Sequence, residues 1–144
     1  MGVKAIPDGY HSITPGMNLK DADKAIEFFK KAFGAEERER IVGPDGKIMH
    51  AEVRIGDSIV MLGEAQRDPV RTLGAMLYVN DADTVFSRAI DAGATVKLPM
   101  ADMPWGDRAG RVLDPFGNEW FIATHKEDVP MDEIKRRMEA MKKK

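Results

Sequence analysis

DADKAIEFFKKAFG, residues 21–34, returns as DADTVFSRAIDAG, residues 81–93. In the first copy Ala22, Ala25, Ile26, Phe29, Ala32 and Phe33 recur at three- and four-residue spacing, which places them on one face of a helix. In the second, Ala82, Val85, Phe86, Ala89 and Ala92 hold the same relative places. Asp21 and Asp81 suit the helix starts, where a carboxylate accepts free backbone N–H groups and complements the dipole. Gly34 and Gly93 suit left-handed C-termini. Two helices with one signature imply a duplicated unit.

The flanks repeat as well. A strand candidate precedes each helix, at 11–19 and 74–80, and three more follow: 35–42, 47–55 and 58–63 in the first half, 95–98, 107–114 and 119–125 in the second. PDG (44–46) and IGDS (55–58) are turn signals, and in DPFGN (114–118) Pro115 presets one turn residue while Gly117 can take positive φ. Each half reads β-α-β-β-β, joined by a charged linker at 63–72 that Pro69 interrupts. The fold class is α+β. A half alone is too small to bury an adequate core. Two modules, about 10–64 and 73–127 within a domain at 1–129, are therefore expected to form a curved mixed sheet with helices outside and a concave inner face suited to a ligand.

PMDEIKRRMEAMKKK (130–144) reads as a C-terminal helical tail. Pro130 suits its start, Ile134, Met138 and Met141 form a narrow apolar stripe, and Glu133 is spaced to support Arg137. So short a helix needs a surface to lie on, its own domain or a partner's.

Composition narrows the function classes. Apolar residues are 43%, charged residues 32%, and the net charge is −2. This is an ordinary globular balance without the basic footprint of a nucleic-acid partner. No apolar run could span a membrane, and MGVKAIPDGYHS lacks the apolar stretch of a signal peptide. Cysteine is absent, which removes thiolate chemistry. A cytoplasmic protein is the expectation. There is no G-x-G-x-x-G, P-loop, H-E-x-x-H or G-x-S-x-G motif, and no catalytic residue is assigned.

Candidate binding residues come from strand alternation. In EWFIATH (119–125) Trp120 would enter the core and its neighbour Phe121 the inner face. Thr14, Met61, Met76, Tyr78 and Ala123 are expected to join Phe121. The loop MADMPWGDR (100–108) would bring Met103, Trp105 and Arg108 to the cleft mouth, with Trp105 as a lid or interface residue. Arg108 and Arg111 suit a planar or anionic ligand. His50 shares a strand face with Glu52 and Arg54, either hydrogen-bonded at the surface or as a polar anchor in the cleft. His11, His125 and Glu64 read as surface or partner-facing residues. The ligand-binding set is thus Thr14, His50, Met61, Met76, Tyr78, Trp105, Arg108 and Phe121.

The paired modules, with ITPG (13–16), AIEFFKKAFGAEE (25–37), GKIMHAEVRIGDSIVMLGE (46–64) and WGDRAGRVLDPFGNEWFIATHKEDV (105–129), resemble the vicinal oxygen chelate superfamily, the glyoxalase/bleomycin resistance/extradiol dioxygenase fold, and within it the PhnB-like branch. The resemblance implies a homodimer. In the superfamily's enzymes it also implies a divalent metal held by His, Glu or Gln from the first and last strand of each module. The matching positions are Thr14, Met61, Gly74 and Phe121, which offer a hydroxyl, a thioether, a hydrogen and a benzene ring. None suits a hard or borderline divalent ion, so no metal or other cofactor is expected. The resulting expectation is a metal-independent protein that binds a planar or amphipathic small molecule, as bleomycin-resistance relatives do. The alternatives are a metal-dependent lyase, isomerase or dioxygenase of the same superfamily, and a scaffold whose own side chains fill the cleft.

Overall fold

The computed structural model describes residues 2–66 and 69–142. Both DAD segments open helices, by different devices. In α2 (Ala82–Asp91) the Asp81 carboxylate accepts the Thr84 backbone N–H at 3.2 Å, and the Thr124 hydroxyl accepts that of Ala82 at 2.8 Å. In α1 (Ala22–Phe33) Asp21 instead sits in the left-handed region, φ 59°, and its side chain makes no cap. Glu64 replaces it: its carboxylate accepts the N–H groups of Asp21 and Ala22 at 2.9 and 3.0 Å. Glu64 and Thr124 thus hold equivalent helix starts, and Glu64, expected at the surface, is a cap from the end of a strand. Gly34 closes α1 at φ 66°, whereas α2 ends at Ala92, one residue before Gly93.

The strands are β1 (Gly16–Leu19), β2 (Glu36–Val42), β3 (Ile48–Ile55), β4 (Ser58–Glu64), β5 (Gly74–Tyr78), β6 (Thr95–Asp102), β7 (Asp107–Leu113) and β8 (Glu119–His125). They form two four-stranded mixed sheets, β1-β4-β3-β2 and β5-β8-β7-β6. Among the described residues no ladder joins the N-terminal sheet to the C-terminal one. A single core does. It draws Ile26 and Phe29 of α1, Ala82 and Ala89 of α2, Val53 and Leu62 of the N-terminal sheet, and Val112, Trp120 and Ile122 of the C-terminal sheet. The helices pack on each other and on the facing sides of both sheets, so each sheet's inner face points away from the core. Burying each of the larger aliphatic side chains and Phe29 contributes about 1.5–3 kcal/mol, and each alanine less.

The DPFGN turn fixes how Trp120 enters this core. Asp114 is 3% exposed. Its carboxylate accepts the N–H groups of Phe116 and Asn118 at 2.9 Å, the Asn118 amide at 2.8 Å and the Trp120 indole N–H at 2.9 Å. Asn118 in turn accepts the Leu73 N–H at 2.7 Å, tying β5 to the turn. Gly117, φ 97°, supplies the conformation that a side chain would oppose. The Trp120 ring then meets Phe33 and Phe29 edge-on at 4.8 and 5.7 Å.

Helix α3 (Met131–Lys142) forms where the tail pattern places it, yet none of its residues is buried. Arg137 tethers it, donating to the Pro104 carbonyl at 3.2 Å and to Glu127 at 2.8 Å.

Candidate ligand-binding site

Register defines the inner face of the C-terminal sheet row by row. Leu98, Arg111, Phe121 and Met76 lie side by side across β6, β7, β8 and β5. The next row is Ala101, Ala109, Ala123 and Tyr78, and beyond it Asp107 faces His125. A file of alanines therefore runs between a row with a ring and a cation and a row with a carboxylate and an imidazole. Directly opposed residues share a face, so these side chains stand together.

Asp107 organises this surface. Its side chain is 1% exposed. It accepts the Tyr78 hydroxyl and the Trp105 indole N–H, each at 2.9 Å, and lies 2.8 Å from His125 Nδ1. The Trp105 ring reaches Phe121 with centroids 6.2 Å apart and planes at 73°. Held at Asp107 and touching Phe121, the indole spans the alanine row, which explains why Ala109 and Ala123 are fully buried outside the main core. The Trp105 loop is pinned by Gly106, whose carbonyl accepts the Lys126 and Glu127 N–H groups at 2.8 and 3.1 Å. A Cβ there would stand 2.2 Å from the Glu127 carbonyl oxygen, so only glycine fits.

Both nitrogens of His125 face carboxylates, Asp107 and, at 2.7 Å, Asp128. The imidazole donates to both only as the cation, so these hydrogen bonds raise its pKa above the ordinary value. For Asp107 burial favours the neutral form, but hydrogen bonds from His125, Tyr78 and Trp105 prevail and its pKa is lowered.

The N-terminal sheet carries a second polar group. Glu52, 6% exposed, accepts the Tyr10 hydroxyl and lies 3.1 Å from His50 Nε2. The Tyr10 bond lowers the Glu52 pKa against the opposing effect of burial. The Arg38 guanidinium sits 5.7 Å over the Tyr10 ring. The segment before β1 thereby crosses the inner face of this sheet.

The eight residues expected to bind ligand are distributed, not gathered. His50 and Met61 line a depression of about 390 Å³ on the N-terminal sheet with Met49 and Arg71. Met76 and Tyr78 edge a groove of about 440 Å³ where the modules meet, beside Leu73 and Val60. Tyr78, Trp105 and Phe121 share the C-terminal inner face. Thr14 precedes β1 and lies outside these, beside His11 and Ile13. Arg108 points to the opposite side: it opposes Thr124, the α2 cap, and donates to Asp83 at 3.1 and 3.2 Å. Reading the sequence missed Asp107, Glu52 and Tyr10. The turn length at 114–118 could have separated Arg111 from Arg108, because it sets β7 against β8 and so pairs Arg111 with Phe121.

The four positions matched to metal ligands remain poor donors in three dimensions. Met61 opposes Gly16 and Phe121 opposes Met76. Among the described residues no three His, Cys, Asp or Glu side chains are grouped to hold an ion. The residues present do not fit the metal of the superfamily's enzymes.

Residues 10–122 match the family described as the Glyoxalase/Bleomycin resistance protein/Dioxygenase superfamily. The chain is 41% identical over 139 residues to an uncharacterized protein of Mycobacterium tuberculosis, covering 88% of this chain and 82% of that one. It is 30% identical over 138 residues to an uncharacterized protein of Arabidopsis thaliana, covering 83% and 82%. Among solved structures, TioX from Micromonospora sp. ML1 superposes with a TM-score of 0.65 at 28% identity, over 79% of this chain and 99% of TioX. The matched span holds both βαβββ modules up to the middle of β8, and on that ground the chain belongs to the glyoxalase/bleomycin resistance protein/dioxygenase superfamily.

Proposed function

We propose that this protein binds a planar or amphipathic small molecule without a metal and acts as a homodimer. The observation that carries the reading is the Asp107 hub, which holds Trp105 and Tyr78 beside Phe121 on a sheet face turned away from the core. Rings anchored at one polar end offer flat apolar contact with little freedom left to lose. Met76 at 41% and Tyr78 at 57% exposure extend that contact, with Met able to adapt its shape to a ligand. Asp107 is committed to three donors, so it organises the rings and is not free to act as a base.

The dimer follows from what one copy leaves uncovered. Met76 and Tyr78 stay exposed on the C-terminal inner face, and α3 exposes Met131, Met138 and Met141 at 64%, 45% and 58%. Apolar surface gathered in this way marks an interaction site. Among the described residues no helix is long and apolar enough to cross a membrane. A second copy of the chain is the proposed cover for these exposed side chains.

Native mass spectrometry of protein purified without chelator tests both parts. The expected species has twice the 16.0 kDa chain mass and carries no stoichiometric transition metal. A monomer at every concentration would remove the dimer. A tightly held metal at one per chain would remove the metal-independent reading.

A further inference from the structure

We infer that Arg111 is the anion anchor of the C-terminal inner face, so that the ligand carries a carboxylate, sulfonate or phosphate on an aromatic body. This rests on the small-molecule reading above and narrows it to a chemical class.

Arg111 stands in the row Leu98–Arg111–Phe121–Met76, between two apolar neighbours. Its Nε is buried, and among the described residues it has no hydrogen-bond partner. Among those residues, too, no carboxylate lies within ion-pair distance of its guanidinium, a lack it shares with Arg71 and Arg88, but Arg111 alone among the described residues has a buried side-chain nitrogen left without a partner, while Arg40, Arg54, Arg108, Arg136 and Arg137 are ion-paired and Arg38 stacks on Tyr10. A buried donor without a partner is costly, and a charged one more so. Such a group is satisfied from outside the chain, by water or by an anion. The planar guanidinium presents paired donors that match two oxygens of an anion. Phe121, directly opposite, and Trp105, edge-on to Phe121, provide the aromatic surface beside it. Charge and ring contact are thus offered to one molecule. The sequence allowed either Arg108 or Arg111 for this role; the occupied Arg108 and the vacant Arg111 decide between them.

Two probes with one ring system separate the charge from the rings: 1-anilinonaphthalene-8-sulfonate and the uncharged N-phenyl-1-naphthylamine. The full chain should bind the sulfonate about tenfold more tightly than the uncharged probe, as a hydrogen bond to a charged group implies. Arg111→Gln should bring the two affinities within about twofold by weakening the sulfonate alone, while Arg108→Gln leaves both unchanged. Because both probes share the rings, their ratio is insensitive to general loss of folded protein. Arg111→Lys, which keeps the charge and loses the fork, should retain a sulfonate preference and serves if the glutamine variant does not fold. Equal binding of the probes to the unaltered chain, or an unchanged ratio in Arg111→Gln, would overturn the anion anchor and leave the apolar site standing. Binding of neither probe would overturn both.

Discussion

Asp114→Ala should lower the unfolding free energy by about 3–5 kcal/mol, near the top of the range for single substitutions. The carboxylate is buried and accepts four N–H groups, from Phe116, Asn118 twice and Trp120. Alanine leaves those donors unpaired in a place water enters poorly, which costs more than the bonds' net worth. The loss cannot stay local, because Asn118 also holds the Leu73 N–H and Trp120 packs on α1. For a chain of this size the melting temperature should fall by about 10–16 °C. A double-mutant cycle isolates the indole. In a Trp120→Phe background, where no indole N–H remains, Asp114→Ala should cost about 1–2 kcal/mol less. An unchanged melting temperature in Asp114→Ala would show that the turn does not organise the core.

Asp107→Asn should cost about 2–3 kcal/mol through its hydrogen bonds and also change the shape of the stability–pH curve. The sign follows from the two pKa directions. Asp107 is lowered in the fold, so its contribution is present above the ordinary carboxylate pKa of about 3.9 and fades as pH falls through the lowered value. His125 is raised, so its contribution is full below the ordinary imidazole pKa of about 6.5 and fades as pH rises through the raised value. The pair therefore supports the fold most between about pH 4 and pH 6.5. Asparagine removes the acidic arm and weakens the alkaline arm, which Asp128 still supports, so melting temperatures followed from below about pH 4 to above about pH 6.5 should vary less with pH than in the unaltered chain. The same change takes the charge from the oxygen that Trp105 and Tyr78 share and so weakens their anchor, and affinity for an aromatic ligand should fall with stability. Parallel curves for the two proteins would contradict the role given to Asp107.

Much of the fold was legible because its signals are local. The helix spacing after each DAD, the turn glycines and the alternation at Trp120 and Phe121 each need only a few neighbouring residues. The first misreading has the opposite cause. Asp21 has the chemistry of a cap, but the chain reaches Ala22 through a left-handed residue, and the capping carboxylate comes from Glu64 at the end of β4. Nothing near position 21 records that. The strand expected at 11–19 shortens to Gly16–Leu19 because Pro15 lacks an N–H to join a ladder. The segment before it serves instead to carry Tyr10 onto Glu52.

The site was less legible than the fold. Alternation assigns faces only once a strand's register is known. Alternation separates Arg108 and Arg111, three residues apart, and pairing with β8 decides that Arg111 joins Phe121 on the inner face while Arg108 joins Thr124 on the other. Asp107 falls where the 100–108 loop and the 107–114 strand candidate overlap, and nothing beside it in the sequence marks it out. Its importance arises from Tyr78 and His125, distant in sequence and adjacent across β5, β8 and β7.

The chain has two tryptophans, which lets one measurement address the main claim. In a ¹⁵N-labelled sample the indole N–H signals of Trp105 and Trp120 report the inner face and the core respectively. On titration with 1-anilinonaphthalene-8-sulfonate the Trp105 signal should move and saturate while that of Trp120 stays in place. A Trp105 signal that stays fixed while the probe binds would show that the ligand surface lies elsewhere.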